Sequence, residues 1–256
     1  MAFQGWQARR FELKYVVDEA KAKAIRPFLL GRLEPDAYNG SGEDVGYSVR
    51  SLYLDTPTFL LKRQTDEGHK NRFKLRIRFY DDKPESPAFL EIKRRENDII
   101  RKERALVTRT AVEQVLAGRR PDLSELIHHE ARSVSAFENF FNLCCRIGAA
   151  GSVFVVYRRE AYVSPSSDDL RVTFDRQIES RRYTPGNGLQ MPNKSVATDV
   201  KGVVLEIKFT DRFPYWTREL AYMFNLNRTS VPKYVECVEA EKRTGMPLVL
   251  EQGFAS

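Results

Sequence analysis

Seven stretches of this chain alternate apolar and polar residues with a period of two, which puts successive side chains on opposite faces of a strand, and an eighth reads as a strand without an assigned facing. In Arg72 to Phe79, R-F-K-L-R-I-R-F, Phe73, Leu75, Ile77 and Phe79 share one face and Arg72, Lys74, Arg76 and Arg78 the other. Arg10 to Val17 sets Phe11, Leu13, Tyr15 and Val17 against Arg10, Glu12 and Lys14. Tyr47 to Asp55 reads as a strand, and Ala88 to Arg95 sets Leu90 and Ile92 against Glu91, Lys93 and Arg95. In Ile99 to Val107 the facing is ambiguous, with Lys102 and Arg104 on one side and Arg101 and Glu103 on the other. Val153 to Val163 puts Tyr157 and Arg159 on one face; Leu170 to Ile178 does the same for Arg171, Thr173 and Asp175, and Val203 to Phe209 for Glu206 and Lys208. Short connections around residues 72–107 favour an antiparallel meander.

Between the strands, helical spacing predicts a helix capped by Asp18 over Glu19 to Leu30, and a short one from Thr56-Pro57 to about Asp66. Further helices are expected at Thr108 to Ala117, Pro121 to Ile147, Pro214 to Asn225 and Val235 to Arg243. Gly31 to Gly46 and Glu179 to Lys201 read as loops. Amphipathic helices need an apolar surface to cover. The expected fold is therefore α+β: an eight-stranded antiparallel β-barrel with a polar, cationic bore and helices packed outside, all one domain over residues 1–256, with core 9–240 and a helical insertion over 108–148.

Charge sharpens this picture. Lysine and arginine number 42 against 35 acids, a formal net charge of +7, which suits an anionic partner, although a merely basic surface gives the same sum. The strand faces concentrate one sign, at Arg72, Lys74, Arg76, Arg78, Lys93, Arg95, Arg159 and Arg171. Facing one another across a bore, they repel unless an anion lies between them. Glu12, Glu91, Asp175 and Glu206 intrude on the same faces. They can pair with the cations, or hold a hard divalent ion, Mg²⁺ or Mn²⁺, beside phosphate oxygens. In such a site the protein supplies position and charge rather than a nucleophile.

Other chemistries find little support. His69, His128 and His129 are the only histidines, and no phosphate-binding loop, dinucleotide fingerprint or serine-hydrolase elbow occurs. Cys144, Cys145 and Cys237 have neither disulfide-framework nor zinc spacing, which favours reduced thiols and a cytoplasmic location. No secretory signal and no run of about 18 apolar residues is present, so no membrane segment is expected. Nucleic acid is not expected as a partner, because the aromatic residues mostly share the apolar faces.

The ordered series F-E-L-K-Y, S-L-Y-L-D-T, K-L-R-I-R, F-L-E-I-K, I-R-K-E-R, Y-R-R, L-R-V-T-F-D, L-E-I-K-F and P-K-Y resembles the catalytic domain of the vacuolar transporter chaperone (VTC) family, within the triphosphate tunnel metalloenzymes. The resemblance implies a polyphosphate polymerase that moves the γ-phosphoryl of ATP onto inorganic polyphosphate and releases ADP, with pyrophosphate or triphosphate as related ligands. It implies that Lys14, Arg76, Arg78, Lys93, Arg159 and Arg171 grip phosphates, with Lys102, Arg104 and Lys208 as further cations, and that Tyr157 hydrogen-bonds a phosphate oxygen. It also implies that Lys233, Arg76 and Arg78 lie nearest the transferred group, and that Glu206, with Glu12 and Glu91, holds Mn²⁺ or Mg²⁺. The related triphosphatases open with E-x-E-x-K, whereas this chain has Arg10-Phe11-Glu12-Leu13-Lys14; losing the first acid favours the VTC branch. The inositol-phosphate-sensing domain and membrane segment of eukaryotic members do not fit in this length, which suggests a stand-alone form. A triphosphatase or polyphosphatase on the same fold, and a non-catalytic module binding polyphosphate or inositol polyphosphate, stay open as alternatives.

Overall fold

A computed structural model describes residues 10–40, 45–97, 99–165, 170–210 and 213–245. The fold is mixed α+β, built on one large antiparallel sheet. Its strands are β1 (Arg10–Val17), β2 (Glu34–Pro35), β3 (Tyr47–Asp55), β4 (Asn71–Phe79), β5 (Ala88–Glu96), β6 (Ile99–Val107), β7 (Ala150–Val163), β8 (Leu170–Arg182), β9 (Val196–Ala197) and β10 (Val203–Thr210). The hydrogen-bonded order is β1-β10-β8-β7-β3-β4-β5-β6, with β2 added to β7 and β9 to β8. Among the described residues six α-helices accompany it: α1 (Glu19–Leu30), α2 (Leu60–Asp66), α3 (Arg109–Leu116), α4 (Ala131–Ile147), α5 (Trp216–Met223) and α6 (Lys233–Arg243).

The apolar face is covered in two places. Ala22, Ile25 and Leu29 of α1 and Leu220 of α5 bury Leu13, Val172, Leu205 and Ile207. Ala111, Val112 and Val115 of α3, with Phe137, Phe140 and Leu143 of α4, bury Leu75, Ile77, Leu90 and Ile92. These are the strand positions that the alternation assigns to an apolar face, and burying each such side chain contributes about 1.5–3 kcal/mol.

Four expectations are corrected. The ladder does not close into a barrel: β1 and β6 remain its two edges, which approach each other without pairing. Flanking loops take their backbone groups instead, through Thr229 N–H to Lys14 O at 2.9 Å and Ile127 N–H to Leu106 O at 2.9 Å. Inward charges on both edges also oppose pairing. Second, not every helix lies on the apolar face. Tyr234, Cys237 and Val238 of α6 pack against Val49, Tyr53, Val153, Val155, Ile178 and Val204, on the face that carries Arg76. Third, residues 121–147 are not one helix. A 3-10 turn at Leu123–Glu125, capped by Asp122, precedes an extended stretch in which Leu126 bridges Val107. Fourth, α2 begins at Leu60, because Asp55 accepts from the N–H groups of Thr56, Leu61 and Lys62 and sets the first turn there. Among smaller differences, α6 begins two residues early, at Lys233, and β8 runs on to Arg182.

The extension of β8 depends on a bulge. Val156 pairs with Glu179 and Arg158 with Arg176, so Gln177 and Ile178 together oppose Tyr157. Gln177 takes φ 51°, the left-handed conformation such a bulge can require. The extra residue reverses the alternation and turns Ile178 toward α6.

Candidate anion site on the charged face

Strand register brings the charged positions into one field. Directly opposed pairs are Lys14 with Glu206, Glu12 with Lys208, Arg159 with Asp175, Arg76 with Glu91, and Lys93 with Lys102. Glu206, 3 % exposed, is the most heavily engaged acid. It meets Lys208 Nζ at 2.6 Å, Lys233 Nζ at 2.7 Å, Lys14 Nζ at 3.3 Å and Arg159 Nη2 at 3.5 Å. Lys233 also meets Asp175 at 2.8 Å, and Arg159 grips Asp175 with two bonds of 2.7 and 2.8 Å.

Glu12 is tied to the same group through shared lysines, Lys208 at 3.7 Å and Lys14 at 3.8 Å, and reaches across the open edge to Lys93 at 3.0 Å. Glu91 is enclosed by Arg76 at 2.6 Å, Lys102 at 2.5 Å and Arg104 at 3.9 Å. Arg78 donates to Ser51 Oγ at 3.2 Å and to the Tyr157 hydroxyl at 3.4 Å. Arg171 donates to Asp36 at 2.6 Å and to the Tyr47 hydroxyl at 3.0 Å. Arg72, which donates to His69 O, and Arg95, which donates to Asn97 O at 2.7 Å, stand apart at one end of β4 and β5, whereas the other strand cations singled out in the sequence lie on this face.

Four partners escaped sequence reading: Tyr47, which accepts from Arg171 at 3.0 Å, and the three that follow. Ser51 and Tyr53, which accepts from Arg76 at 3.2 Å, lie on a strand whose facing was left unassigned. Asp36 lies in a stretch read as loop, where no periodicity marks it.

Burial sets the electrostatics. It penalises every charge here, yet Arg76, Arg78 and Lys102 hold Glu91 well below the usual carboxylate range. Against the same cost, Lys208, Lys233 and Lys14 hold Glu206 far down, and Asp175 and Glu206 hold Lys233 well up. Other lysines are not rescued. Burial, then Lys93, Lys14, Arg72 and Arg76, pushes Lys74 down to about 7. Burial pushes Lys102 down to about 7 despite Glu91, and Lys208 to about 8 despite Glu206. Cations crowded this closely at low dielectric suit a polyanionic guest.

Among the described residues, no three acidic, histidine or cysteine side chains form a metal cage of their own. Glu206 and Glu12, bridged by shared ammonium groups, fit the lesser demand of an ion held by one or two carboxylates plus substrate phosphates.

Among solved structures, the chain is similar to a candidate adenylate cyclase from Bacillus halodurans, at 15 % identity and TM-score 0.49, over 87 % of this chain and 93 % of that one. It is similar also to a protein from Pyrococcus horikoshii, at 15 % identity and TM-score 0.43, over 91 % and 98 %. No curated protein matches it. The sequence matches the VTC domain across residues 9–242, nearly the whole field of strands and helices described above, and the chain belongs to the VTC domain family.

Proposed function

We propose that the protein is a metal-dependent polyphosphate polymerase, which transfers the γ-phosphoryl of ATP to the end of an inorganic polyphosphate chain. The supporting observation is the partly buried field of lysines and arginines from strands β1, β4, β5, β6, β7, β8 and β10 and helix α6, gathered on one face around the buried acids Glu206, Glu91 and Asp175 and around Glu12. In this reading the face lines a tunnel for phosphate chains, within a single domain.

The terminal oxygen of the acceptor attacks the γ-phosphorus, the bond from that phosphorus to the β–γ bridging oxygen breaks, and ADP leaves with the electron pair. The attacking oxygen is already anionic, so no general base is required. Catalysis then rests on alignment and neutralisation of charge. Arg76, Arg78, Lys233 and the Tyr157 hydroxyl hold the transferring group. Lys14, Lys93, Lys102, Arg104, Arg159, Arg171 and Lys208 hold the flanking phosphates. Glu206 and Glu12 would hold Mn²⁺ or Mg²⁺, which supplies charge neutralisation on the phosphate oxygens. Glu91, expected as a third ligand, shares none of its described ion-pair partners with Glu206 or Glu12, and in this reading it holds Arg76, Lys102 and Arg104 in place.

Incubation with ATP and Mn²⁺, reading both products, tests this. ADP with an acid-labile polymer is expected. Orthophosphate without polymer would establish a hydrolase instead, and binding without turnover a passive module.

A further inference from the structure

The charged face has two dissimilar ends. At one, the rings of Tyr53 and Tyr234 stack at 4.8 Å beneath α6, and both are buried. At the other, four rings run in sequence: Tyr38 to Tyr47 at 6.3 Å, Tyr47 to Tyr80 at 6.5 Å, and Tyr80 to Phe89 at 6.3 Å. Tyr38 is 78 % exposed and Tyr80 46 % exposed, and the rings meet one another edge-on or tilted, at interplanar angles of 55 to 83°. Cations stand beside two of its rings. Arg171 donates to the Tyr47 hydroxyl, and the Arg104 guanidinium lies 3.5 Å over the Phe89 ring.

We propose that this run is a stacking seat for the nucleobase of a nucleoside triphosphate, which orients the substrate with its base at the Tyr38–Phe89 end and its phosphates inward. This rests on the reading of the charged face as a phosphoryl-transfer site. Tyr80 follows Arg78 by two residues on the same side of the chain, a step of about 7 Å. Phe89 directly opposes Arg78, and Tyr47 directly opposes Arg159. Phe89 and Tyr47 therefore lie level with Arg78 and Arg159, while Tyr80 stands one step farther out and Tyr38 lies beside Tyr47.

Tyr38 is held in place. Its N–H donates to Asp36 at 2.9 Å, and the neighbouring Asn39 side chain exchanges bonds of 2.6 and 2.8 Å with the backbone of Ala161. Gly46 N–H donates to Asn39 O with φ 119°, and a Cβ there would lie 2.7 Å from Arg159 O, so only glycine fits. With the backbone anchored in advance, only the side-chain torsions of Tyr38 remain to be ordered when a base stacks on its ring. Stacking tolerates any base, because every base has a π face.

Calorimetric titration of ATP and of inorganic tripolyphosphate into wild type, Tyr38→Ala, Tyr80→Ala and Tyr80→Phe tests the seat. The exposure of both tyrosines lets the variants fold, which circular dichroism checks. Each alanine variant is expected to lose about tenfold in ATP affinity while tripolyphosphate affinity stays at the wild-type value, and Tyr80→Phe is expected to retain both. Equal losses for the two ligands, or undiminished ATP affinity in both alanine variants, would overturn the seat. Wild type that binds tripolyphosphate but not ATP would overturn it while leaving the anion site standing. Wild type that binds neither would remove the functional reading along with it.

Discussion

Arg78 is the side chain whose removal separates binding from folding most cleanly. It is 8 % exposed, and its described bonds are long contacts to two hydroxyls, Ser51 and Tyr157. Arg78→Ala should weaken tripolyphosphate binding by about 1.5–3 kcal/mol in calorimetry, the scale of a charge-assisted contact, while urea midpoints hold or rise because one member of a repelling set is gone. The depressed lysines make a second expectation. Lys74 and Lys102 at about 7, and Lys208 at about 8, are largely neutral in the empty site at alkaline pH. A polyanion favours their charged forms, so binding should take up protons, and affinity should fall as pH rises from about 7 to about 9. Calorimetry in buffers of different ionisation enthalpy reads this directly; an affinity flat across that range contradicts it. For stability the sign is the same for all three. Each folded-state pKa lies below the unfolded 10.5, so their destabilisation is greatest below 7 and is relieved as pH climbs toward 10.5.

Among the elements, α6 links scaffold to site. Tyr234 donates to Asp55 at 2.8 Å while stacking on Tyr53, and the preceding residue, Lys233, meets Glu206 and Asp175. Asp55 in turn caps α2. Tyr234→Phe keeps the ring and loses the bond, and should cost about 1 kcal/mol in denaturant unfolding. The strands were legible because one face is buried against helices and the other is charged, so alternation survives in the sequence. The failures have local causes. Leu123, Leu126 and Ile127 imitate helical spacing, but Leu126 is there to cover the edge of β6. The bulge at Gln177 shifts the phase of β8 and hides its last turns of alternation. Lys233 could be connected with the site only through the P-K-Y resemblance, since nothing in a helical pattern states which face of a sheet the helix covers. The cations were readable one by one; their pairing, set by register across distant strands, was not.

For the molecule as a whole, the empty charged face is an electrostatic load on folding that an anion relieves. Tripolyphosphate at about 100 times its dissociation constant should therefore stabilise the fold by about 2.7 kcal/mol. That amounts to roughly 5–10 °C in the melting temperature of a domain this size, by scanning calorimetry. A melting temperature indifferent to tripolyphosphate would place these cations outside any binding role. The open side of the sheet has its own consequence. Between β1 and β6 the described span is a clasp of side chains, Glu12 on Lys93, with neighbouring loops occupying the backbone. Such a seam parts at the cost of ionic contacts rather than a strand's worth of amide bonds, so under the proposed function a phosphate chain is not restricted to entering from an end of the face.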